Sequence, residues 1–129
     1  MKLSIIIINW NVQDLLSTCL ETIDRNVTTS NLPKVETLVI DNASTDGSVK
    51  MIREKFPWVK LVANTENSGF AKANNQGIAL CSGEYILLLN PDTELLDDAV
   101  PTLLNYLVDH PDVGIAGPRT LNPDGTVQS

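Results

Sequence analysis

Asp92 has the clearest chemical setting of any residue in this chain. It follows the apolar run Glu84–Leu89 and stands in Asn90-Pro91-Asp92-Thr93-Glu94, held beside a proline. A carboxylate in a tight loop at a strand end suits a hard divalent cation, Mg2+ or Mn2+, that bridges the protein to a diphosphate. The plain alternative is that Asp92 or Thr93 caps the helix that follows. Asp41 ends a second apolar run, after Val39-Ile40. A carboxylate at a buried edge can accept a hydrogen bond from an imide N–H such as that of uracil or thymine, or it can cap the turn through Ser44–Ser48. Asp46-Gly47 reads as turn and helix-start chemistry. Trp10 could stack on a base or cover the end of a sheet. Gly69 and Gly77 permit close backbone approach, and Asn74 and Asn75 put two amides on one helix.

These residues must be positioned by the elements between them. Leu3–Ile8 is a β-branched run of the kind a strand buried on both faces requires. Val12–Val27 repeats apolar residues at helical spacing. Val35–Ile40, Val59–Ala63 and Glu84–Leu89 read as further strands, and Val113–Gly117 as a fifth. Ser48–Phe56, Gly69–Leu80 and Ala99–Val108 read as helices, stopped by Pro57, Ser82-Gly83 and His110-Pro111. Pro123-Asp124-Gly125 reads as a turn that opens a hairpin. The order βαβαβαβαβ predicts an α/β domain: a mostly parallel sheet with helices on both faces. In such a sheet ligands bind beyond the carboxyl ends of the strands. Four polar loops obey that rule: Asn9-Trp10-Asn11, Asp41–Ser48, Asn64–Gly69 and Asn90–Glu94. Taken singly each is ordinary turn chemistry; four on one rim favour a ligand.

The chain has 129 residues, 9 Lys+Arg against 16 Asp+Glu and a net charge of -7. The length fits one domain, and acidity with no basic run argues against nucleic-acid binding. Cys19 and Cys81 are too few for a disulfide framework; they read as reduced, mostly buried residues of a cytoplasmic chain. Ile5–Ile8 is too short for a membrane span or a signal-peptide core. Strand one is followed by Asn-Trp-Asn rather than G-x-G-x-x-G, and G-x-x-x-x-G-K-[ST] and G-x-S-x-G are both missing. Dinucleotide, P-loop and serine-nucleophile chemistry are therefore disfavoured. The single histidine, His110, reads as a surface or capping residue at a helix end.

Together these blocks resemble the family 2 glycosyltransferases. The likeness rests on Ser4–Asn11, on Val39–Ser48, on Asn67–Gly77, and on Gly83-Glu84-Tyr85 with Leu89–Thr93. Gly117-Pro118 with Asp124-Gly125 and Gln128 is similar to the rhamnosyltransferase-type branch. The resemblance implies a GT-A fold, truncated here after about the fifth strand, and inverting transfer from a UDP- or dTDP-sugar to a glycan or lipid-linked acceptor. It places Asn9, Trp10, Asn11, Asp41, Asn67, Gly69, Asn74 and Asn75 near the nucleotide. Asp92 takes the metal position of the family's D-x-D, with Asn90 as a weaker neutral ligand where relatives carry Asp. Asn74 stands where many relatives carry Arg. No catalytic residue is expected within 1–129: the general base and most of the acceptor site are expected beyond Ser129, leaving a donor-binding piece with little or no turnover. An exposed sheet edge or face open to self-association is expected too. A sugar-nucleotide nucleotidyltransferase would want a Gly- and Arg/Lys-rich loop after strand one. A non-catalytic nucleotide- or partner-binding module of the same fold would differ in binding without turnover. A phosphoacceptor domain would want an acidic pair after strand one and a Lys after strand five.

Overall fold

In the computed structural model, which describes residues 2–30, 32 and 34–128, a four-stranded sheet organises the chain. The strands are β1 (Leu3–Asn9), β2 (Val35–Asp41), β3 (Lys60–Ala63) and β4 (Tyr85–Leu89). The helices between and after them are α1 (Gln13–Thr29), α2 (Ser48–Lys55), α3 (Phe70–Leu80) and α4 (Ala99–Asp109). The sheet order is β3-β2-β1-β4 and every pairing is parallel. β1 lies at the centre and is buried along its whole length, which is why its sequence is an unbroken apolar run rather than an alternating one.

Register decides what the rim presents. Asn9 pairs with Asp41 and Asp41 with Ala63, so three strands end on one rung. The loops that follow must leave the sheet side by side.

Alternation along the strands separates two cores. Leu3, Ile5, Ile7 and Val39 pack with Leu16, Cys19, Leu20 and Ile23 of α1 and with Met51 and Ile52 of α2. Ile6, Ile8 and Ile40 face the other way, onto Ala73 of α3. Helices therefore cover both faces. Gly77 lets α3 lie close: a Cβ there would stand 2.6 Å from Ile6 Cγ2. α1 also carries two buried polar residues that receive the chain after β4. Thr22 Oγ1 accepts the Leu95 N–H, while the Asn26 amide donates to the Leu96 carbonyl and accepts from the Val100 N–H. Polar groups so buried are kept only when paired.

The amino ends of the strands hold a buried carboxylate that sequence reading passed over. Glu36 accepts hydrogen bonds from Ser4 Oγ, Lys60 Nζ, Ser82 N and Ser82 Oγ. Burial pushes its carboxyl up, but the Lys60 ammonium and the Ser4 and Ser82 donors outweigh that and hold it well below the usual carboxylate range.

One expectation is corrected. Val113–Gly117 forms no strand; among the described residues the sheet stops at four. The segment holds two glycines, is followed by Pro118 and leaves Ile115 92% exposed, so no apolar face pins it to the free edge of β4. Cys19 is buried, and Cys81 is partly buried at the end of α3, with its thiol on the Ile78 carbonyl. Other boundaries fall close to expectation. Leu121 and Val127 form an antiparallel bridge around the turn at Asp124-Gly125, whose glycine has φ 88. His110 caps α4, stacked on Tyr106 with its ring nitrogen 2.8 Å from the Tyr106 carbonyl. β4 keeps an open edge, and Ile86 and Leu88 on its α3-side face are about half exposed.

Candidate functional site

A groove of about 500 Å³ opens at the carboxyl end of the sheet. Its residues come from all four polar loops or their neighbours. The end of β1 and the start of α1 give Ile8, Trp10, Val12 and Leu15; the loop after β2 gives Asn42. The approach to α3 gives Asn67, Gly69 and Phe70, and the loop after β4 gives Asn90, Pro91 and Asp92. Trp10, Leu15 and Phe70 are each more than half exposed. Large apolar side chains left open beside a few polar groups are what a planar, partly apolar ligand fits.

The residues singled out by sequence fall into two groups. Trp10, Asn67, Gly69, Asn90 and Asp92 line the groove. Asn9, Asn11, Asp41, Asn74 and Asn75 do not. Asp41 is 1% exposed and braces the loop behind the groove. Its Oδ1 accepts from Asn9 Nδ2 at 2.9 Å and from Ser44 Oγ at 2.7 Å, and its Oδ2 from the Ser44 N–H at 2.9 Å. Donation to Asp41 fixes the Asn9 amide and leaves Asn9 Oδ1 buried with no partner among the described residues.

Asn11 adopts φ 52, and its side-chain Oδ1 accepts from the Thr45 and Asp46 N–H groups. Asp46 accepts from the Gln13 N–H and from the N–H and hydroxyl of Ser48, at the start of α2. Partial burial pushes the Asp46 carboxyl up, and the Ser48 and Gln13 donors more than reverse it, so it lies below its usual range. Asn74 is buried under α3, and Asn75 is exposed on the helix.

The loop after β4 is built to present Asp92. Thr93 closes it, with its N–H and hydroxyl both on the Asn90 carbonyl. Cys19 of α1 lies beneath, 3.8 Å from the Asn90 carbonyl oxygen and 3.9 Å from Thr93 Oγ1. Burial pushes the Cys19 thiol up to about 11; the Thr93 hydrogen bond opposes this, and the Asp92 and Glu94 charges reinforce it. Asp92 is exposed. Among the described residues no group of three or more His, Cys, Asp or Glu is placed to hold a metal. One carboxylate flanked by an amide nevertheless fits a hydrated cation that takes its other ligands from phosphate and water.

Sequence reasoning missed Asn42 and Phe70. Asn42 directly follows Asp41, and an asparagine at a strand end reads as a turn former. Phe70 opens a helix, where an aromatic residue reads as core.

Residues 4–129 match the family description "Glycosyl transferase family 2". The chain belongs to that family. The uncharacterized glycosyltransferase YibD of Escherichia coli K12 is 31% identical over 111 residues, 84% of this chain and 31% of YibD. The N-acetylglucosaminyl-diphospho-decaprenol L-rhamnosyltransferase of Mycobacterium tuberculosis is 31% identical over 104 residues, 72% of this chain and 34% of that protein. A solved mannosyltransferase of Pyrobaculum calidifontis, in complex with GDP-Man and Mn2+, superposes with a TM-score of 0.73 at 27% identity. That match covers 83% of this chain and 32% of the mannosyltransferase. The fold is that of the GT-A glycosyltransferases. The chain spans about a third of the length of these proteins.

Proposed function

We propose that this family 2 chain supplies the donor and metal site of an inverting glycosyltransferase that uses a UDP- or dTDP-sugar. The observation that carries the reading is the groove itself, which gathers an exposed tryptophan, an exposed carboxylate and three amide side chains at the carboxyl ends of parallel strands.

In this reading the Trp10 ring stacks on the nucleobase, and the apolar edge of Leu15 excludes water beside it. Asp92, with the neutral Asn90 as a weaker partner, would hold Mg2+ or Mn2+, which would supply positive charge to offset that of the diphosphate. An acidic chain that binds an anionic nucleotide needs such a cation. Asp41 keeps one acceptor position free on Oδ2 but is 1% exposed, so its contact with a base imide requires the residues that bury it to give way. Asn67, whose Oδ1 holds the Gly69 N–H, offers its amide NH2 from the α3 side of the groove, and Gly69 lets the backbone approach closely there. Asn9 and Asn11 act from behind, by holding the loops. An acceptor hydroxyl on a glycan or lipid carrier displaces the nucleoside diphosphate with inversion. A carboxylate must take its proton, a role given to none of the groove residues named above. Among the described residues no helix is long and apolar enough to cross a membrane; we assign the chain to the cytoplasm, where the nucleotide-sugar is bound.

Support comes from a relative whose name specifies L-rhamnosyl transfer onto a lipid diphosphate and from the mannosyltransferase bound to GDP-Man and Mn2+. Titration calorimetry of UDP, dTDP and GDP, with and without Mn2+, tests the reading. UDP or dTDP binding that collapses with chelator and in Asp92→Ala is the expected result. Preference for GDP overturns the pyrimidine assignment. No binding by the folded chain to any of the three refutes the donor-site reading.

A further inference from the structure

One side chain at the rim ties two loops of the groove together, and the reaction scheme above gives it no role. Asn42 is 3% exposed and uses both ends of its amide. Oδ1 accepts from Asn64 Nδ2 and from Ser68 Oγ, each at 3.2 Å, and Nδ2 donates to the Gly69 carbonyl at 3.2 Å. The donor and acceptor pattern fixes which way the amide points. Rotated by half a turn, it would set oxygen against the Gly69 carbonyl and NH2 against the Asn64 amide group.

The stretch it grips, residues 64–69, makes no strand pairing. It ends at Gly69, whose φ of 84 favours glycine and where no atom lies within 4 Å of an added Cβ. Backbone conformation, not packing, is what this glycine serves. Phe70 follows at once, 62% exposed and lining the groove. Without the Asn42 amide, the carbonyl that opens α3 keeps only its helical partner, the Ala73 N–H. The Asn64–Gln76 amide pair then remains as the side-chain tie at the far end of the stretch.

We infer that Asn42 is a positioning residue: its amide sets where Asn67, Gly69 and Phe70 stand in the groove, and so sets nucleotide affinity without taking part in the chemistry. The inference rests on the donor-site reading of that groove. Asn42→Asp keeps the acceptor and the shape but turns an oxygen onto the Gly69 carbonyl. Asn42→Ala removes both contacts. Glu36→Gln is the control, since it weakens the fold from the amino ends of the strands.

The experiment titrates UDP with Mn2+ against the wild type and the three variants, at a temperature where all are folded, and follows amide hydrogen exchange over residues 64–70. Asn42→Asp and Asn42→Ala should each weaken UDP binding about five- to tenfold, the worth of one hydrogen bond. Both should raise exchange over 64–70, while exchange in β1 stays at the wild-type level. Glu36→Gln should lose stability and keep its affinity. Unchanged affinity in both Asn42 variants, or an equal loss in Glu36→Gln, overturns the proposal. A folded wild type that binds no nucleotide refutes the donor-site reading instead. In that event raised exchange over 64–70 upholds Asn42 as the positioning residue of this loop, and unchanged exchange overturns it.

Discussion

Glu36→Gln should destabilise the chain by about 2–4 kcal/mol at neutral pH, and the deficit should shrink in acid. Glu36 is the partner of four hydrogen bonds from Ser4, Lys60 and Ser82, at a side-chain exposure of 5%. Lys60 is 62% exposed, so its ammonium returns to water when the carboxylate is lost and adds little. The Ser4 hydroxyl and the Ser82 N–H and hydroxyl all donate to Oε2, so a glutamine that turns its amide oxygen there keeps all three, each as a neutral hydrogen bond worth about 1 kcal/mol less than the charge-assisted one. For a domain of this size the three together correspond to a fall in Tm of roughly 8–16 °C. The pH dependence has a definite sign. The folded carboxyl lies well below its ordinary value, so its stabilisation is complete above the unfolded pKa of about 4.3 and is lost as pH falls through the acid range. Below that pKa the wild type should lose about 1.4 kcal/mol per pH unit relative to the glutamine variant. Urea denaturation of both proteins at pH 7, 4 and 3 reads this directly. A variant as stable as wild type at pH 7, or a difference that stays constant down to pH 3, would refute the account of a buried, charged, donor-saturated carboxylate.

Other perturbations separate the groove from its scaffold. Asp92→Ala should leave stability within about 0.5 kcal/mol, since the side chain is exposed, and should abolish the Mn2+-dependent part of UDP binding; a chelator-insensitive loss would argue against a metal role. Trp10→Ala should weaken nucleotide binding by about tenfold or more, as loss of one base stack implies, with Tm near wild type. Gly77→Ala should cost about 1–3 kcal/mol in chemical denaturation, because its Cβ would stand 2.6 Å from a branched carbon of Ile6 that cannot swing aside; a neutral effect would mean α3 is free to lift from the sheet. A thiol reagent at pH 8 should modify Cys81 first and Cys19 only on unfolding, the Cys19 thiol being buried and pushed up to about 11; equal rates would show that the loop over Cys19 opens readily.

The strands and helices were legible because each announces itself twice. β1 shows a β-branched run and then an abrupt Asn-Trp-Asn; α3 shows small residues at helical spacing and then Ser82-Gly83. The segment at Val113–Gly117 shows the limit of that signal. It has strand-like residues, yet pairing depends on an apolar face to bury, and two glycines leave it none. Glu36 was illegible for a related reason. Nothing local distinguishes a strand glutamate that faces solvent from one that gathers Ser4, Lys60 and Ser82, residues up to 46 positions away.

The rim divides along the same line between local and distant. Which strands end in polar residues is written locally, and the groove stands where those ends meet. Which of the polar residues face a ligand is not, because it depends on the pleat. Asp41 and Asn42 are adjacent, so their side chains leave the chain toward opposite faces. The carboxylate turns inward to Asn9 and Ser44, and the amide reaches across to Ser68 and Gly69. One residue therefore steadies the Asn9–Ser48 side of the site and the next steadies the α3 side. On this geometry the acid that sequence singles out is a brace for the amino-proximal loops, and its less conspicuous neighbour joins the two halves of the rim. A substitution at either position should then be felt in loops it does not belong to, Asp41 in the Asn11–Ser48 clasp and Asn42 in the approach to Phe70.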